Sequence, residues 1–192
     1  VRAAEEDLAA ADAVAGDGDH GRGMVRGLEA AEAAARESAE AGAGLGSTIA
    51  LAGDAWAEHA GGSSGVLWGA ALRALGTRLG DESTPASVDV AAAADTFAEA
   101  VRSLGRVELG DKTMYDGMEP AVRAFAAAAE GGSLGAALLA AAEAAEAAAQ
   151  ETAALRPKVG SARPLAERSV GHPDPGALSF SIIVRALATT LA

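Results

Sequence analysis

The stretch Asp12–Met24 reads DAVAGDGDHGRGM and places three aspartates around a glycine-rich turn. Asp12, Asp17 and Asp19 are so close in sequence that their carboxylates repel one another unless a cation lies between them. Hard divalent cations such as Mg2+ prefer oxygen ligands of this kind. The glycines let backbone N–H groups approach an anion, and the helical pattern that follows supplies an N-terminus that favours negative charge. The stretch therefore predicts a site where a metal ion bridges phosphate groups.

The glycines of this stretch also match the spacing of the dinucleotide-binding fingerprint G-x-G-x-x-G, at Gly16, Gly18 and Gly21. We exclude that interpretation because the fingerprint follows a β-strand, whereas residues 1–12 are rich in Ala and Glu and indicate a helix. Two aspartates inside the turn would also repel a pyrophosphate unless a metal ion intervened.

A calcium-binding EF-hand loop is excluded because its twelfth position must be Glu. Counting from Asp12 gives Gly23 at that position, and counting from Asp17 gives Leu28. A solvated Asp/Gly turn that caps a helix remains the simplest alternative. The three aspartates and four glycines of the stretch favour the metal site over such a turn.

The composition indicates one domain built from closely packed helices. The 192 residues are enough for a single domain with a sizeable core. Alanine is the dominant residue and aromatic residues make up only 3%, which predicts helices that approach closely rather than large aromatic clusters. Cysteine is absent, which excludes thiolate catalysis and thiolate metal sites and predicts a cytoplasmic protein.

The formal net charge of −12 argues against nucleic acid as a partner, because such binding needs a basic surface. No secretory signal is recognisable at the start of the sequence. No uncharged run reaches the ~18 apolar residues that a transmembrane helix needs, so no membrane partner is predicted. An acidic chain that handles phosphate needs a metal ion or local cations at the site, in agreement with the aspartate stretch.

Hydrophobic periodicity predicts helices throughout the chain. No segment shows the two-residue alternation typical of a strand, and helix is the better prediction even for residues 179–185. Pro120 is predicted to kink the sixth helix or to delay its start. Residues 156–176 contain four prolines and are predicted to form a long loop, a feature that is usually functional. We therefore predict an all-α fold, an antiparallel barrel or bundle of eight helices over about 1–12, 20–41, 44–60, 66–80, 88–104, 113–130, 134–155 and 177–192.

Four glycine- or proline-rich breaks each lie just before a predicted helix: Asp12–Met24, Gly61–Gly65, Gly110–Met114 and His172–Gly176. They precede the second, fourth, sixth and eighth helices. Alternate loops of an up-and-down bundle gather at the same end, so these breaks predict a ligand site at one end of the fold. Each break by itself also fits ordinary helix punctuation.

Individual residues in these breaks have candidate roles. The hydroxyls of Ser63 and Ser64 can donate to phosphate. His20 is predicted to contact the ligand. Lys112 is open to two interpretations, since it would either contact phosphate or be a solvated side chain at the start of a helix.

Taken together, these motifs resemble the nucleotide-binding L subunit, or C-terminal DhaL domain, of dihydroxyacetone kinases. The matching stretches are DAVAGDGDHGRGMVRG (12–27), GGSSGVLWG (61–69), GDKTMYD (110–116) and AERSVGHPDPGALS (166–179). They occur in the family's order and extend over nearly the whole chain. The resemblance implies an eight-helix barrel that binds ADP or ATP at one end.

The family's site residues carry over to matching positions of this sequence. Asp12, Asp17 and Asp19 would hold two Mg2+ ions that bridge the nucleotide phosphates. One position departs from the pattern, because Ser161 stands where the family commonly has an Arg that touches the nucleotide, and Arg163 is its candidate substitute. The implied nucleotide-binding residues are His20, Gly21, Arg22, Gly23, Ser63, Ser64, Gly105, Met114, Ser161, Asp174, Pro175 and Gly176.

The resemblance also implies that a separate K subunit or domain holds the ketose covalently through a histidine. No residues of this sequence point to a base or nucleophile, so the chain would be half of a kinase. Its expected extent is a single nucleotide-binding domain over residues 1–192, as a subunit or as the C-terminal domain of a larger kinase.

The sequence leaves the substrate and the phosphoryl donor open. Dihydroxyacetone is the leading substrate, and a four-carbon ketose such as erythrulose is the alternative. Some family members use ATP, whereas others keep ADP bound and have it rephosphorylated by a phosphotransferase-system M subunit. A regulatory sensor that binds ADP and Mg2+ without turnover is the alternative of a different class.

Overall fold

The computed structural model describes residues 1–160 and 162–191. Over these residues the secondary structure consists of α-helices and short 3-10 helices, without strands, so the all-α prediction is confirmed. The 3-10 helices are Arg2–Ala4, Thr152–Ala154 and Arg163–Leu165. The α-helices are α1 (Glu5–Ala13), α2 (His20–Glu40), α3 (Leu45–Ala60), α4 (Gly62–Leu79), α5 (Ser87–Gly105), α6 (Met114–Ala129), α7 (Leu134–Glu151), α8 (Ala166–Ser169) and α9 (Pro175–Leu191).

Two predicted breaks differ from the structure. Gly61 alone separates α3 from α4, so the predicted break Gly61–Gly65 is mostly the first turn of α4. Gly61 adopts a left-handed backbone (φ 74°), and its carbonyl already accepts the N–H of Gly65 at 3.1 Å. The predicted loop 156–176 contains the short helix α8, which brings the α-helices of the described residues to one more than predicted.

Pro120 lies inside α6 and does not delay its start at Met114. Within the described part of the chain, no helix has the length and hydropathy needed to cross a bilayer.

The chain divides into two compact units, and the single domain predicted over residues 1–192 stays a prediction. The first unit comprises Val1–Arg22 and Val107–Ala192, and the second comprises Gly23–Arg106. In the first unit, α7 packs against α6 and α9, and its buried residues are alanines with one leucine. These buried residues are Ala137, Leu138, Ala141, Ala142, Ala145, Ala148 and Ala149.

In the second unit, α3 and α4 pack closely enough for their backbones to touch. A Cβ at Gly53 would lie 2.7 Å from the carbonyl oxygen of Gly69, and a Cβ at Gly69 would lie 2.6 Å from that of Gly53. Trp56 stacks on Trp68 with their ring centroids 5.2 Å apart, and Phe97 of α5 meets Trp68 edge-on at 5.6 Å. The composition predicted the close helices, but it did not anticipate this aromatic cluster.

Candidate functional site

Three carboxylates converge at the turn between α1 and α2. Asp12 lies in the last turn of α1, and Asp17 and Asp19 lie in the turn itself. One oxygen from each carboxylate can be chosen so that all three lie within 4.8 Å of one another. Asp12 is partly buried, whereas Asp17 and Asp19 are exposed. The turn therefore concentrates negative charge at one place that solvent can reach.

Glycines allow the turn to wrap around Asp12. The Oδ2 atom of Asp12 accepts the N–H of Gly18 at 3.0 Å. A Cβ at Gly16 would lie 2.4 Å from Oδ1 of Asp12, so any side chain there would displace this carboxylate. Gly18 has a φ of 78°, a left-handed conformation that favours glycine.

This donor set fits a hard divalent cation. Mg2+ is commonly bound through one or two carboxylates, with waters and substrate phosphates completing its shell. Asp17 and Asp19 are exposed, which leaves room for such additional ligands. Asp12, Asp17 and Asp19 thus lie close enough to share a cation, but their roles as metal ligands and the predicted number of two ions stay predictions.

His20 is the first residue of α2 and follows this cluster in the sequence. Its side chain is hydrogen-bonded to a residue near the other end of the chain. Its Nε2 lies 3.0 Å from the Ser179 hydroxyl, on α9. That hydroxyl also lies 3.0 Å from the Gly176 carbonyl, to which it can donate. Burial lowers the pKa of His20, although Asp12, a hydrogen bond to the Pro175 backbone and Asp19 each act to raise it. The ring is therefore held by α9 and lies near enough to Asp12 and Asp19 to interact with their charges.

The other predicted residues at the start of α2 have different environments. Gly21 is buried, and a Cβ there would lie 2.1 Å from the Glu5 carbonyl oxygen, so Gly21 allows α2 to pack against α1. Arg22 is exposed. Gly23 belongs to the second unit, where a Cβ would lie 3.0 Å from the Ala60 carbonyl oxygen.

The loop before α6 is organised by Asp116. Its Oδ1 accepts the N–H of Gly110 at 2.5 Å and its Oδ2 accepts the N–H of Thr113 at 2.7 Å. The Thr113 hydroxyl accepts the N–H of Tyr115 at 3.2 Å, and Thr113 and Asp116 together form a capping box. These bonds fix the N-terminus of α6, where Met114 is buried.

The start of α9 lies against the start of α6. A Cβ at Gly176 would lie 2.9 Å from the Cβ of Met114, which places the two predicted nucleotide residues in contact. Asp174 accepts the N–H of Ala177 at 2.8 Å, and Pro175 is the first residue of the helix. Burial raises the pKa of Asp174 to about 7, and the hydrogen bond from Ala177 acts in the opposite direction.

Lys112 fits neither of its two sequence interpretations. The residue is 3% exposed, so it is not a solvated side chain. Its ammonium donates to the carbonyls of Leu155 at 3.2 Å, Ser169 at 2.8 Å and His172 at 2.7 Å. Burial lowers the pKa of Lys112, and the Asp174 carboxylate acts to raise it. All three protons of the ammonium are engaged by backbone oxygens rather than by a phosphate.

The remaining predicted nucleotide residues belong to the second unit or are not described. Ser63 and Ser64 lie in the first turn of α4, and Gly105 is the last residue of α5. Arg26 donates to the Ala60 carbonyl at 3.0 Å and so holds the residue just before the turn into α4. Ser161 lies outside the described residues. The nucleotide contacts of these serines, of Gly105 and of Ser161 stay predictions.

Sequence reasoning missed several residues that hold predicted site residues within the first unit. Asp116 could have been found, because Thr113 and Asp116 have the spacing of a capping box. Ser179 could not, because it is 159 residues from His20 and lies in an ordinary helical pattern. Thr152, whose hydroxyl accepts the N–H of Asp174 at 2.7 Å, also lacks a local signal.

Comparison with known proteins assigns the chain to a family. The model of the DAK2 domain matches residues 14–189. The chain is 53% identical over 186 residues to the D-erythrulose kinase of Mycolicibacterium smegmatis, covering 96% of this chain and 32% of that protein. It is 35% identical over 185 residues to the ADP-binding subunit DhaL of the PEP-dependent dihydroxyacetone kinase of Escherichia coli, covering 95% of this chain and 87% of that subunit.

A solved structure has the same fold. The dihydroxyacetone kinase from C. freundii, in complex with AMP-PNP and Mg2+, superposes with a TM-score of 0.70 at 28% identity, covering 98% of this chain and 31% of that one. The chain thus spans about a third of the length of the single-chain kinases and most of the length of the separate subunit. On this evidence the chain belongs to the DAK2 domain family, as the resemblance of its motifs to DhaL domains predicted.

Proposed function

We propose that this chain is the nucleotide-binding, phosphoryl-transferring part of a ketose kinase. The observation that carries the proposal is the convergence of Asp12, Asp17 and Asp19 within 4.8 Å beside the start of α2. The matched E. coli subunit is named for ADP binding, and the C. freundii structure contains AMP-PNP and Mg2+. These relatives support ADP or ATP, together with Mg2+, as the ligands of the carboxylate cluster.

The residues of the chain contribute mainly by binding and positioning. Phosphoryl transfer requires little covalent chemistry from the protein, and a bound Mg2+ ion supplies charge neutralisation at the phosphates. Asp12, Asp17 and Asp19 would hold that ion. His20, held by Ser179, would present its ring at the edge of the carboxylates. Pro175 and Gly176, at the start of α9, would line the nucleotide pocket beside Met114.

The acceptor ketose would be held by another subunit or domain. The chain covers only 32% of the D-erythrulose kinase but 87% of the separate ADP-binding subunit. This difference supports a modular kinase in which a K subunit or domain holds the ketose. If ADP stays bound between turnovers, an M subunit of a phosphotransferase system would rephosphorylate it. If it exchanges, ATP is the direct donor.

A four-carbon ketose is the substrate best supported by the comparisons. The relative that is 53% identical is named a D-erythrulose kinase, whereas the dihydroxyacetone kinase subunit is 35% identical. We therefore place D-erythrulose ahead of dihydroxyacetone. Mixing the chain and ATP with a K domain that binds D-erythrulose, or with one that binds dihydroxyacetone, should yield ketose phosphate, with the larger kcat for the erythrulose-binding partner. No phosphate transfer to any ketose, despite tight nucleotide binding, would favour a nucleotide sensor.

The first test is calorimetric titration of ADP and ATP into stripped protein, with and without Mg2+. Exchangeable, Mg2+-dependent binding of both nucleotides is expected for a kinase that uses ATP directly. ADP that cannot be removed without unfolding would instead indicate a phosphotransferase-coupled kinase. Failure of both nucleotides to bind in the presence of Mg2+ would overturn the proposal.

A further inference from the structure

Lys112 is a buried ammonium whose surroundings consist of backbone oxygens. Lysine is almost never fully buried unless its charge is paired, yet Lys112 is 3% exposed. Its three hydrogen bonds, of 2.7 to 3.2 Å, replace the three water molecules that the ammonium would lose on burial. These bonds therefore explain how a charged side chain is accommodated at a buried position, where an apolar side chain is usual.

The three acceptors lie within the stretch between α7 and α9, near its two ends. Leu155 follows the 3-10 helix at the end of α7, whereas Ser169 and His172 lie at the end of α8 and just after it. Lys112 itself lies two residues before α6. One side chain thus ties the start of α6 to both ends of the connection that leads into α9.

This connection ends at the predicted nucleotide residues. Asp174 is two residues beyond the His172 carbonyl, and its side chain caps α9 through Ala177. Its backbone N–H donates to Thr152 at 2.7 Å, close in sequence to the anchor at Leu155. Gly176 then contacts Met114. The ammonium is therefore positioned to determine where the start of α9 lies relative to the start of α6.

The backbone of Lys112 is strained in the same place. Its φ of 61° lies in the left-handed region that residues other than glycine rarely adopt. Such a conformation costs on the order of 1 kcal/mol and persists only where surrounding contacts enforce it. The surrounding contacts are the bonds of the ammonium and the bonds that Asp116 accepts from Gly110 and Thr113, on either side of Lys112.

We infer that Lys112 is a positioning residue for nucleotide binding, which acts by holding the α7–α9 connection so that Gly176, preceded by Asp174 and Pro175, lies against Met114. The inference rests on the proposed function, because it takes these four residues as nucleotide contacts. Lys112 does not touch the nucleotide itself. Its loss should disorganise one wall of the pocket and leave intact the helices whose core includes Leu8, Met118 and Phe125.

The absence of cysteine from the chain allows a direct test of the charge. The variant Lys112→Cys is unfolded, alkylated and refolded in two forms. Treatment with 2-bromoethylamine forms a thioether that ends in an ammonium, with bromide as the leaving group and sulfur in place of one methylene of lysine. Treatment with 1-bromopropane forms a side chain with the same number of heavy atoms that ends in a methyl group. The two forms differ only in the charge and hydrogen-bonding capacity of the last atom.

Two readouts are measured in the cold, after circular dichroism has tested whether both forms have folded helix. The first is the Kd for ADP in the presence of Mg2+. We expect the aminoethyl form to match the unmodified chain and the propyl form to bind roughly tenfold to a hundredfold more weakly, as expected for losing hydrogen bonds to a charged group. The second is trypsin cleavage after Lys158 and Arg168, both within the α7–α9 connection, which should be faster in the propyl form.

The variant Lys158→Gln is the matched control. It also removes one positive charge, but the Lys158 side chain is exposed and its Nζ lies 3.4 Å from Oδ1 of Asp111. Its ADP affinity should equal that of the unmodified chain, because exposed ion pairs contribute little.

Several outcomes would overturn the inference. One is ADP binding by the propyl form as tight as that of the unmodified chain, which would show that the charge is not needed. Another is failure of the aminoethyl form to restore the ADP affinity of the unmodified chain. A third is failure of the propyl form to fold in the cold, which would show that Lys112 supports the whole fold. If the unmodified chain does not bind ADP, the proposed function fails instead. The trypsin comparison still decides in that case whether Lys112 holds the connection.

Discussion

Asp17 is an exposed member of the carboxylate cluster, and its contribution can be tested with the smallest possible change. Asp17→Asn keeps the shape of the side chain but removes one of three charges available to a divalent cation. We expect the Kd for ADP in the presence of Mg2+ to rise roughly tenfold or more, because Mg2+ prefers carboxylate over amide oxygen. Calorimetric titration measures this change, and circular dichroism should show unchanged helix content.

Asp7→Asn serves as the control for Asp17→Asn. Asp7 is exposed on α1, and replacing it by Asn makes the same change in net charge at a position outside the cluster. The Asp7→Asn variant should bind ADP and Mg2+ as the unmodified chain does. Unchanged binding by Asp17→Asn would contradict the assignment of this aspartate as a metal ligand.

Asp174 should make the stability of the nucleotide-free chain depend on pH. Its pKa rises from 3.8 to about 7 on folding, mainly through burial. The folded state therefore holds this proton more tightly than the unfolded chain, and the associated stability is present at low pH and is lost as the pH rises to about 7. Asp174→Asn, which keeps a cap for α9, should remove this loss.

Urea unfolding of both chains at about pH 5 and about pH 8, in a metal chelator, measures the effect. The unmodified chain should lose more stability between the two pH values than Asp174→Asn, by an amount on the order of 2 kcal/mol. Other titrating groups are common to both chains and cancel in the comparison. Equal pH dependence in the two chains would show that the Asp174 carboxyl titrates normally.

At the scale of the elements, close glycine contacts join α3 to α4. Gly53 and Gly69 approach each other reciprocally, and Gly46 and Gly76 repeat the contact seven residues away, where a Cβ on either residue would lie 2.4 Å from the other's carbonyl oxygen. The spacing of seven keeps both pairs on the same side of their helices. Two helices can therefore approach until their backbones touch, which larger side chains at these four positions would prevent.

The variant Gly53→Ala distinguishes the effect of helix propensity from that of packing, because the two effects change the free energy of unfolding in opposite directions. In an exposed helix, Ala would stabilise by about 1 kcal/mol relative to Gly. Here the new Cβ would meet two backbone atoms of α4 closer than 3.0 Å, the Gly69 oxygen and the Arg73 nitrogen. We expect net destabilisation of about 1 to 3 kcal/mol, measured by urea unfolding.

Glu58→Ala is the control for Gly53→Ala. Glu58 is an exposed residue of the same helix, and its replacement should change stability by no more than about 0.5 kcal/mol. An increase in stability on Gly53→Ala would mean that α3 and α4 are farther apart than the structure shows.

At the scale of the whole molecule, the net charge of −12 should make stability rise with salt. Negative charges in excess repel one another in the compact state, and salt screens this repulsion. Salt also weakens ion pairs such as Arg36–Glu32 and Arg102–Glu99, but their side chains are 39% to 68% exposed and such pairs contribute little. Screening of the repulsion should therefore dominate.

Thermal unfolding in KCl measures this balance without adding a ligand for the carboxylate cluster. The Tm should rise by a few degrees between about 10 mM and about 150 mM KCl, a range over which the Debye length falls from about 30 Å to about 8 Å. A Tm that falls over this range would mean that the surface ion pairs contribute more than the excess negative charge.

The sequence by itself determined the all-α class, most helix boundaries, the family and the carboxylate cluster. These features depend on information that is local in the chain. Helix propensity and periodicity act over a few turns, and Asp12, Asp17 and Asp19 lie within eight residues, so a single turn suffices to bring them together.

The tertiary structure alone decided what the sequence left open or misjudged. Lys112 was expected to be solvated or bound to phosphate, but its three acceptors lie 43 to 60 residues away and become its partners only when α6, α7 and α9 pack together. His20 depends in the same way on Ser179, 159 residues along the chain. A buried polar group takes whichever partner the fold brings within 3 Å, and no local pattern of residues encodes that choice.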